Sequence, residues 1–191
     1  MKTRSSLWSI AATAALVGAA LSGPAAAADT SNSSGSLSKA DRDFMMNAAQ
    51  GGLAEVQTGN IAAQQAEDAK VKSFGERMVK DHSQANDKLM ALAQSKGVQL
   101  PTTPSGKDER TMKHLQSLSG TDFDKAYSDD MVKDHKADIR EFERAAQNAT
   151  DPDVKAFAKE TLPTLRHHLA MAEALPSERS ASAPTQTGTP R

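Results

Sequence analysis

The chain contains no cysteine, and only one tryptophan and one tyrosine occur among its 191 residues. The absence of cysteine excludes disulfides, thiolate metal sites, c-type haem attachment and a lipidated N-terminal cysteine. The chain also has no large excess of positive or negative charge, because it contains 23 basic and 24 acidic residues and its formal net charge is −1. With no basic stripe and few aromatic rings to stack on bases, we expect no nucleic-acid partner.

Long apolar runs are missing as well, and the first residues carry the marks of export. Lys2 and Arg4 precede a short apolar stretch, and three alanines end at Ala28. This pattern predicts a secretory signal peptide over residues 1–28, cleaved before Asp29, with a retained N-terminal anchor as the alternative. We therefore expect a periplasmic or secreted protein with no transmembrane segment after signal removal.

Composition divides the rest of the chain into three parts. Residues 29–37 are serine-rich and predict a disordered linker. Residues 176–191 are rich in Ser, Thr, Ala and Pro and predict a disordered tail. Between them, residues 38–175 carry apolar and small side chains at a spacing of three and four, which is typical of amphipathic helices. One domain of helices is expected there.

Cap residues mark where the predicted helices begin. Ser38, Asp68 and Asp151 are N-cap candidates, and Asp151 is followed by proline at the favoured first helical position. A third long helix is expected to start near Thr121. The connection between the second and third long helices runs from Gly97 to Gly120 and contains a short helical piece, residues 107–118. The pair Gly51 and Gly52, in the middle of the first helix, predicts close packing.

An internal repeat indicates two similar hairpins. The pattern Asp-x-x-Val-Lys-x-Phe occurs at residues 68–74 and again at 151–157, each time opening the second helix of a hairpin. A middle connection of this length can run the whole length of a bundle. We predict an all-α, ferritin-like four-helix bundle of two hairpins with a long middle connection containing a short helix. An up-down-up-down bundle is the alternative.

Four polar residues fall on the predicted inner faces: Glu55, His82, His135 and His168. Counting from the caps places Glu55 level with His82 and His135 level with His168. The two pairs differ in depth by about 4.5 Å, since each helical residue rises 1.5 Å. One carboxylate and three imidazoles are therefore expected to meet inside the bundle. Buried ionisable groups are costly unless they are paired, hydrogen-bonded or bound to metal.

Two interpretations of this cluster follow. As a metal site with Glu55 and the three histidines as ligands, it suits Zn, Cu, Fe or Ni. Met78, Met131 and Met171 lie one turn from the histidines and lean the site toward copper. Asp81 and Asp134 are expected either to orient the rings or simply to face water. As a hydrogen-bonded polar layer, it needs no metal, and the methionines only fill gaps.

A catalytic role has less support. Di-iron bundles carry a glutamate three residues before each histidine ligand, and here those positions hold Val79, Val132 and Leu165. No nucleophile motif or phosphate-binding glycine loop occurs. We assign no catalytic or cofactor-binding residues, and a ferritin-like metal-dependent redox enzyme remains as an alternative.

At these positions the chain resembles a bacterial exported family, domain-of-unknown-function family 4142, whose members are often labelled predicted outer-membrane proteins. The resemblance covers roughly residues 41–175. The motifs that carry it are Gly52-x-x-Glu55, Val71-Lys72-x-Phe74, Asp81-His82, Phe123-Asp124-x-x-Tyr127, His135 and Leu162-Pro163 followed by His168-Leu169. It implies a ferritin-like bundle in the cell envelope, with Glu55, Asp81 and the three histidines as family positions. It brings no established activity.

Together these patterns favour a non-enzymatic periplasmic bundle that serves metal handling or envelope stress tolerance. Peripheral attachment to the outer membrane is the alternative location. A structural or chaperone-like module, with an envelope protein as partner and the Glu/His cluster as a buried polar layer, is the alternative to metal binding. The sequence specifies neither the metal, the partner nor the oligomeric state.

Overall fold

The computed structural model describes residues 37–177, and every regular element in that range is a helix. The predicted signal peptide, residues 29–36 of the linker and the tail from residue 178 lie outside the described residues. The helices are α1 (Lys39–Gln65), α2 (Ala69–Ser95), α3 (Gly106–Gln116), α4 (Gly120–Asn148) and α5 (Pro152–Glu173). No helix within the described range is long and apolar enough to cross a membrane.

The predicted caps begin their helices as the sequence indicates. The Ser38 hydroxyl accepts the N–H of Asp41 at 3.0 Å. Asp68 and Asp151 each accept two N–H groups of the following turn, at 2.7 and 3.3 Å and at 2.9 and 3.1 Å. These bonds satisfy donors that the first turn of a helix leaves free. The short helix spans 106–116 instead of 107–118, because Ser105 caps it.

Contacts at the bundle ends fix the connectivity. Lys96, just after α2, pairs with Asp151 and Asp153 at the start of α5, at 2.8 and 2.6 Å. At the opposite end, Asp124 at the start of α4 bonds the loop between α1 and α2. The connection that contains α3 therefore runs the length of the bundle, and α2 and α4 point the same way. This confirms the ferritin-like arrangement and removes the up-down-up-down alternative.

Each hairpin holds the loop of the other through one aspartate. Asp41 accepts the N–H groups of Thr150 and Asp151 in the α4–α5 loop, at 3.1 and 2.9 Å. Asp124 accepts the N–H groups of Glu67 and Asp68 in the α1–α2 loop, at 3.2 and 2.7 Å. The offset of 83 residues that relates Asp68 to Asp151 also relates Asp41 to Asp124. The sequence repeat is thus a structural pseudo-symmetry.

A polar layer divides the apolar interior into two clusters. One lies toward the α4–α5 loop and includes Phe44, Leu89, Phe142, Phe157 and Leu165. The other lies toward the α1–α2 loop and includes Val71, Phe74, Met78, Phe123, Tyr127 and Met131. Between them, each long helix contributes one buried polar residue, Glu55, His82, His135 or His168.

Glycines set how closely α1 and α2 approach. A Cβ added to Gly59 would lie 2.8 Å from the carbonyl oxygen of Gly75, which backbone atoms do not tolerate. Gly52 likewise packs against Asn86, as predicted. The expectation of close packing at Gly51 is wrong, since a Cβ there would meet nothing within 4 Å. Gly51 faces open space.

Replacing Asp41 with alanine is expected to lower the free energy of unfolding by about 1–3 kcal/mol, since part-buried donors of the α4–α5 loop lose a charged acceptor. Burial raises the pKa of Asp41, but hydrogen bonds from Thr150 and Asp151 outweigh it and hold the pKa below 3.8. Its contribution is therefore present at neutral pH and lost as the pH falls through the folded-state pKa. Urea unfolding of the variant at pH 7 measures the effect.

Asp43→Ala is the matched control, because Asp43 is exposed and its side chain pairs with Lys39 on the same helix. An exposed pair contributes at most about 1 kcal/mol. Equal stability of the Asp41 and Asp43 variants would contradict the role given to Asp41.

Candidate metal centre

Three histidines from three helices meet at the centre of the bundle. The rings of His82 and His135 have centroids 5.7 Å apart, those of His82 and His168 5.2 Å, and those of His135 and His168 5.5 Å. One nitrogen of each ring lies within 4.8 Å of one nitrogen of each other ring. All three side chains are buried, His135 and His168 completely. The depth counted from the caps therefore predicted this meeting correctly.

One nitrogen of each ring is held by an acceptor. His82 Nδ1 lies 2.8 Å from Glu55 Oε2. His135 Nδ1 donates to the carbonyl oxygen of Met131 at 2.9 Å, and His168 Nε2 donates to Asp81 Oδ2 at 3.0 Å. Because a carboxylate or carbonyl accepts at these nitrogens, the neutral rings carry their lone pairs on the opposite nitrogens. Ring orientation and tautomer are both fixed.

The opposite nitrogens are bare. His82 Nε2, His135 Nε2 and His168 Nδ1 are inaccessible to solvent and have no hydrogen-bond partner among the described residues. His135 Nε2 lies 3.5 Å from Glu55 Oε1 without forming a hydrogen bond. A buried acceptor without a partner carries a penalty of about 1–3 kcal/mol. Imidazoles with one nitrogen held by an outer acceptor and the other free have the arrangement of metal ligands.

Burial keeps the three imidazoles neutral. It lowers the pKa of His82, His135 and His168 to about 4, and the attraction of Glu55 for His135 and the hydrogen bond from His168 to Asp81 only partly oppose it. At pH 7 each ring therefore offers a lone pair. Burial also raises the pKa of Glu55 to about 7, against the favourable effect of His135.

Asp138 is a member of the site that the sequence reasoning missed. It lies one turn after His135 on α4 and forms a side-chain hydrogen bond with Glu55. Burial and the nearby Glu55 raise the pKa of Asp138 well above its ordinary value, which favours the neutral form of its carboxyl group. The signal was present in the repeat, because the offset of 83 residues from Asp68 to Asp151 also maps Glu55 onto Asp138.

Asp81 and Asp134, the aspartates next to two of the histidines in sequence, make different contacts. Asp81 bonds His168 on α5 instead of its sequence neighbour His82, and it also pairs with Arg77 at 2.7 Å. Asp134 lies 3.9 Å from Lys107 on the connection that carries α3. Glu55 lies beside His82 and His135, outside the group of three nitrogens, and its role as a direct ligand stays a prediction.

The methionines pack in the apolar cluster toward the α1–α2 loop. Met78 and Met131 are buried there, and partly buried Met171 packs against the same cluster. The sequence Met-Val-Lys-Asp-His occurs at 78–82 on α2 and at 131–135 on α4. Since these helices run in the same direction, each copy places its methionine one turn from its histidine, toward the same end. Ligation by methionine sulfur stays a prediction.

Fold and site together define an all-helical, four-helix bundle with a buried cluster of three histidines and Glu55 at its centre. The chain belongs to the family described as domain of unknown function (DUF4142), which matches residues 26–175. The resemblance seen in the sequence motifs is thereby confirmed.

Two solved structures share the fold. A DUF305 fragment from Deinococcus radiodurans is 13% identical, with a TM-score of 0.64 over 72% of this chain and 95% of that one. A conserved hypothetical protein from Mycobacterium tuberculosis is 16% identical, with a TM-score of 0.57 over 79% of this chain and 97% of that one. At such identities the similarity establishes the helical fold alone. No curated protein matches the sequence.

The buried histidines make the stability of metal-free protein depend on pH. A folded-state pKa of about 4 for His135 lies below the unfolded value of 6.5, so its contribution is present above pH 6.5 and lost as the pH falls toward 4. Glu55, whose pKa is raised, acts in the opposite direction. We expect the stability difference between wild type and His135→Gln to shift by about 1–2 kcal/mol between pH 7 and pH 5, against wild type at the lower pH.

Urea unfolding in the presence of a chelator measures this shift. His167→Gln serves as the control, because His167 is exposed on the same helix as His168. Parallel stability curves for wild type and His135→Gln would contradict the neutral, buried state of this ring.

Proposed function

We propose that the protein binds one transition-metal ion through His82, His135 and His168. The observation that carries the proposal is the set of three buried ring nitrogens without hydrogen-bond partners among the described residues, on rings whose other nitrogens are held by acceptors. A bound ion supplies the interaction that each lone pair lacks. Three neutral imidazoles suit Zn, Cu, Fe or Ni.

The same observation disfavours the polar-layer interpretation. A buried polar network that only stabilises a core satisfies its members, since each unpaired group in a low dielectric is costly. Here the outer nitrogens are bonded, while the inner nitrogens have no donor among residues 37–177. The carboxyl groups of Glu55 and Asp138 lie beside the rings, and although burial raises the pKa of both, their ionised forms would offset the charge of an incoming cation.

The space next to the cluster supports binding over catalysis. A cavity of about 30 Å³ is lined by Glu55, His82 and Asp138, which is enough for about one water molecule. A metal with three imidazoles and one water has four ligands, but an organic substrate has no room there. We infer a metal-handling protein and place it outside the cytoplasm, on the strength of the predicted signal peptide over residues 1–28.

Metal analysis and calorimetry test the binding proposal. Protein purified without a metal-affinity tag should take up one equivalent of Zn²⁺, Cu²⁺ or Ni²⁺ and melt at a higher temperature, since a ligand that binds only the folded state stabilises it. A His82→Ala/His135→Ala/His168→Ala variant should bind none. His114→Ala/His167→Ala is the matched control, because both residues are exposed.

The control variant should bind as wild type does. Absence of uptake by wild type, together with an unchanged melting temperature for every metal, would leave the polar layer as the better account. Uptake that the control variant loses would place binding on surface histidines.

Asp81 is expected to strengthen the site through His168. Asp81→Ala should lower metal affinity by about 10–100-fold. The carboxylate fixes the orientation of the His168 ring and makes the opposite ring nitrogen a stronger metal ligand. Calorimetry with the same metal measures the loss, and Asp87→Ala on the exposed side of α2 is the control. Equal affinity of the two variants would contradict the orienting role of Asp81.

A further inference from the structure

The buried histidines need a path to solvent, and a cleft on one side of the bundle leads toward them. The cleft has a volume of about 260 Å³ and lies between α1, the start of α3 and α4. Its lining is rich in carboxyl groups: Glu55, Asp108, Asp134, Asp138 and Glu141. Glu55 is only 5% exposed, and its Oε1 has no N–H or hydroxyl donor among the described residues.

The cleft adjoins the small cavity beside the histidines. Both are lined by Asn47, Gly51, Glu55, Asp138 and Glu141, and the cavity also reaches His82. The shared lining residues therefore link the open cleft with the space beside His82. Glu55 and Asp138, which face each other in a hydrogen bond, stand where the two spaces meet.

Gly51 keeps this passage open. It lies one turn before Glu55 on α1, and a Cβ built on it meets no neighbouring atom within 4 Å. Glycine in the middle of a helix is unfavourable by about 0.5–1 kcal/mol relative to alanine. No close helix contact requires it here, in contrast to Gly59 and Gly75. The lack of a side chain at Gly51 leaves this space unfilled.

Charge in the cleft favours a cation. The carboxylates of Asp108 and Asp134 lie toward its α3 side, where Lys107 is 3.9 Å from Asp134. The lining holds one lysine against five carboxyl groups. A cleft lined by one sign of charge concentrates counter-ions and raises their association rate.

We propose that this cleft is the access route of the metal: Asp108 and Asp134 attract a hydrated divalent cation, and Glu55 and Asp138 receive it and pass it to the three histidines. The route rests on the metal binding proposed above. Carboxylate oxygens replace waters of the ion before the imidazoles do, so the ion is never transferred as a bare charge.

Stopped-flow absorbance with Co²⁺ as the probe tests the route, because its visible spectrum reports coordination by nitrogen. In Gly51→Leu the added side chain extends into the passage from a Cβ position that has no neighbour within 4 Å. We expect association and dissociation rates to fall together by about tenfold or more, with the equilibrium affinity unchanged. Asn60→Leu, which adds the same side chain to an exposed position of α1, should bind at the wild-type rate.

A charge variant tests the outer part of the route. Asp108→Asn should slow association by about 2–5-fold at low salt, and the difference should disappear at high salt, where charges are screened. Asp87→Asn removes the same charge from an exposed position elsewhere and should leave the rate as it is.

The outcomes separate the two proposals. Wild type that binds Co²⁺, with Gly51→Leu binding equally fast, overturns the access route and leaves the histidine site intact. A loss of affinity in Gly51→Leu at unchanged association rate also overturns it, since Gly51 then acts on the site itself. Wild type that binds neither Co²⁺ nor any other metal overturns the metal site and the route with it. Melting temperatures confirm that every variant is folded.

Discussion

Three imidazole lone pairs without donors, enclosed at the centre of a helical bundle, are the constraint on which the rest of the structure depends. Each ring is held from outside by an acceptor on another residue, Glu55, Met131 or Asp81. Such an arrangement is unfavourable without a bound ligand, because no donor of the described residues bonds the inner nitrogens. The two apolar clusters on either side supply the packing that stabilises the bundle around this layer.

Pseudo-symmetry explains how the bundle holds the layer in place. The two hairpins are related by one offset along the chain, and each fastens the loop of the other through Asp41 or Asp124. The same operation brings Glu55 and Asp138 face to face. The histidines break the symmetry, since the offset takes His82 to Leu165 and His135 back to Gly52. The carboxyl groups of Glu55 and Asp138 thus occupy equivalent positions in the two hairpins, whereas His82 and His135 have no histidine at the equivalent positions.

Local chemistry made the helices and the site depth predictable. Ser38, Asp68 and Asp151 are caps whose function depends only on the next turn. Counting residues from them placed His82 and the pair of His135 and His168 within about 4.5 Å of each other in depth. Contacts between helices were harder to predict, because they depend on how each helix is rotated about its own axis relative to its neighbours. Asp81 bonds His168 across the bundle, and Gly51 faces open space while its neighbour Gly52 is packed. Asp138 is predictable from the repeat, because the offset that relates the two caps also maps Glu55 onto it.

X-ray absorption spectroscopy of the zinc-loaded protein tests the central claim most directly, because it reports the atoms bound to the ion. The account predicts a first shell of nitrogen and oxygen at about 2.0–2.1 Å, with the outer-shell scattering of three imidazole rings and no sulfur shell near 2.3 Å. A first shell of water and carboxylate oxygens without imidazole scattering would contradict it.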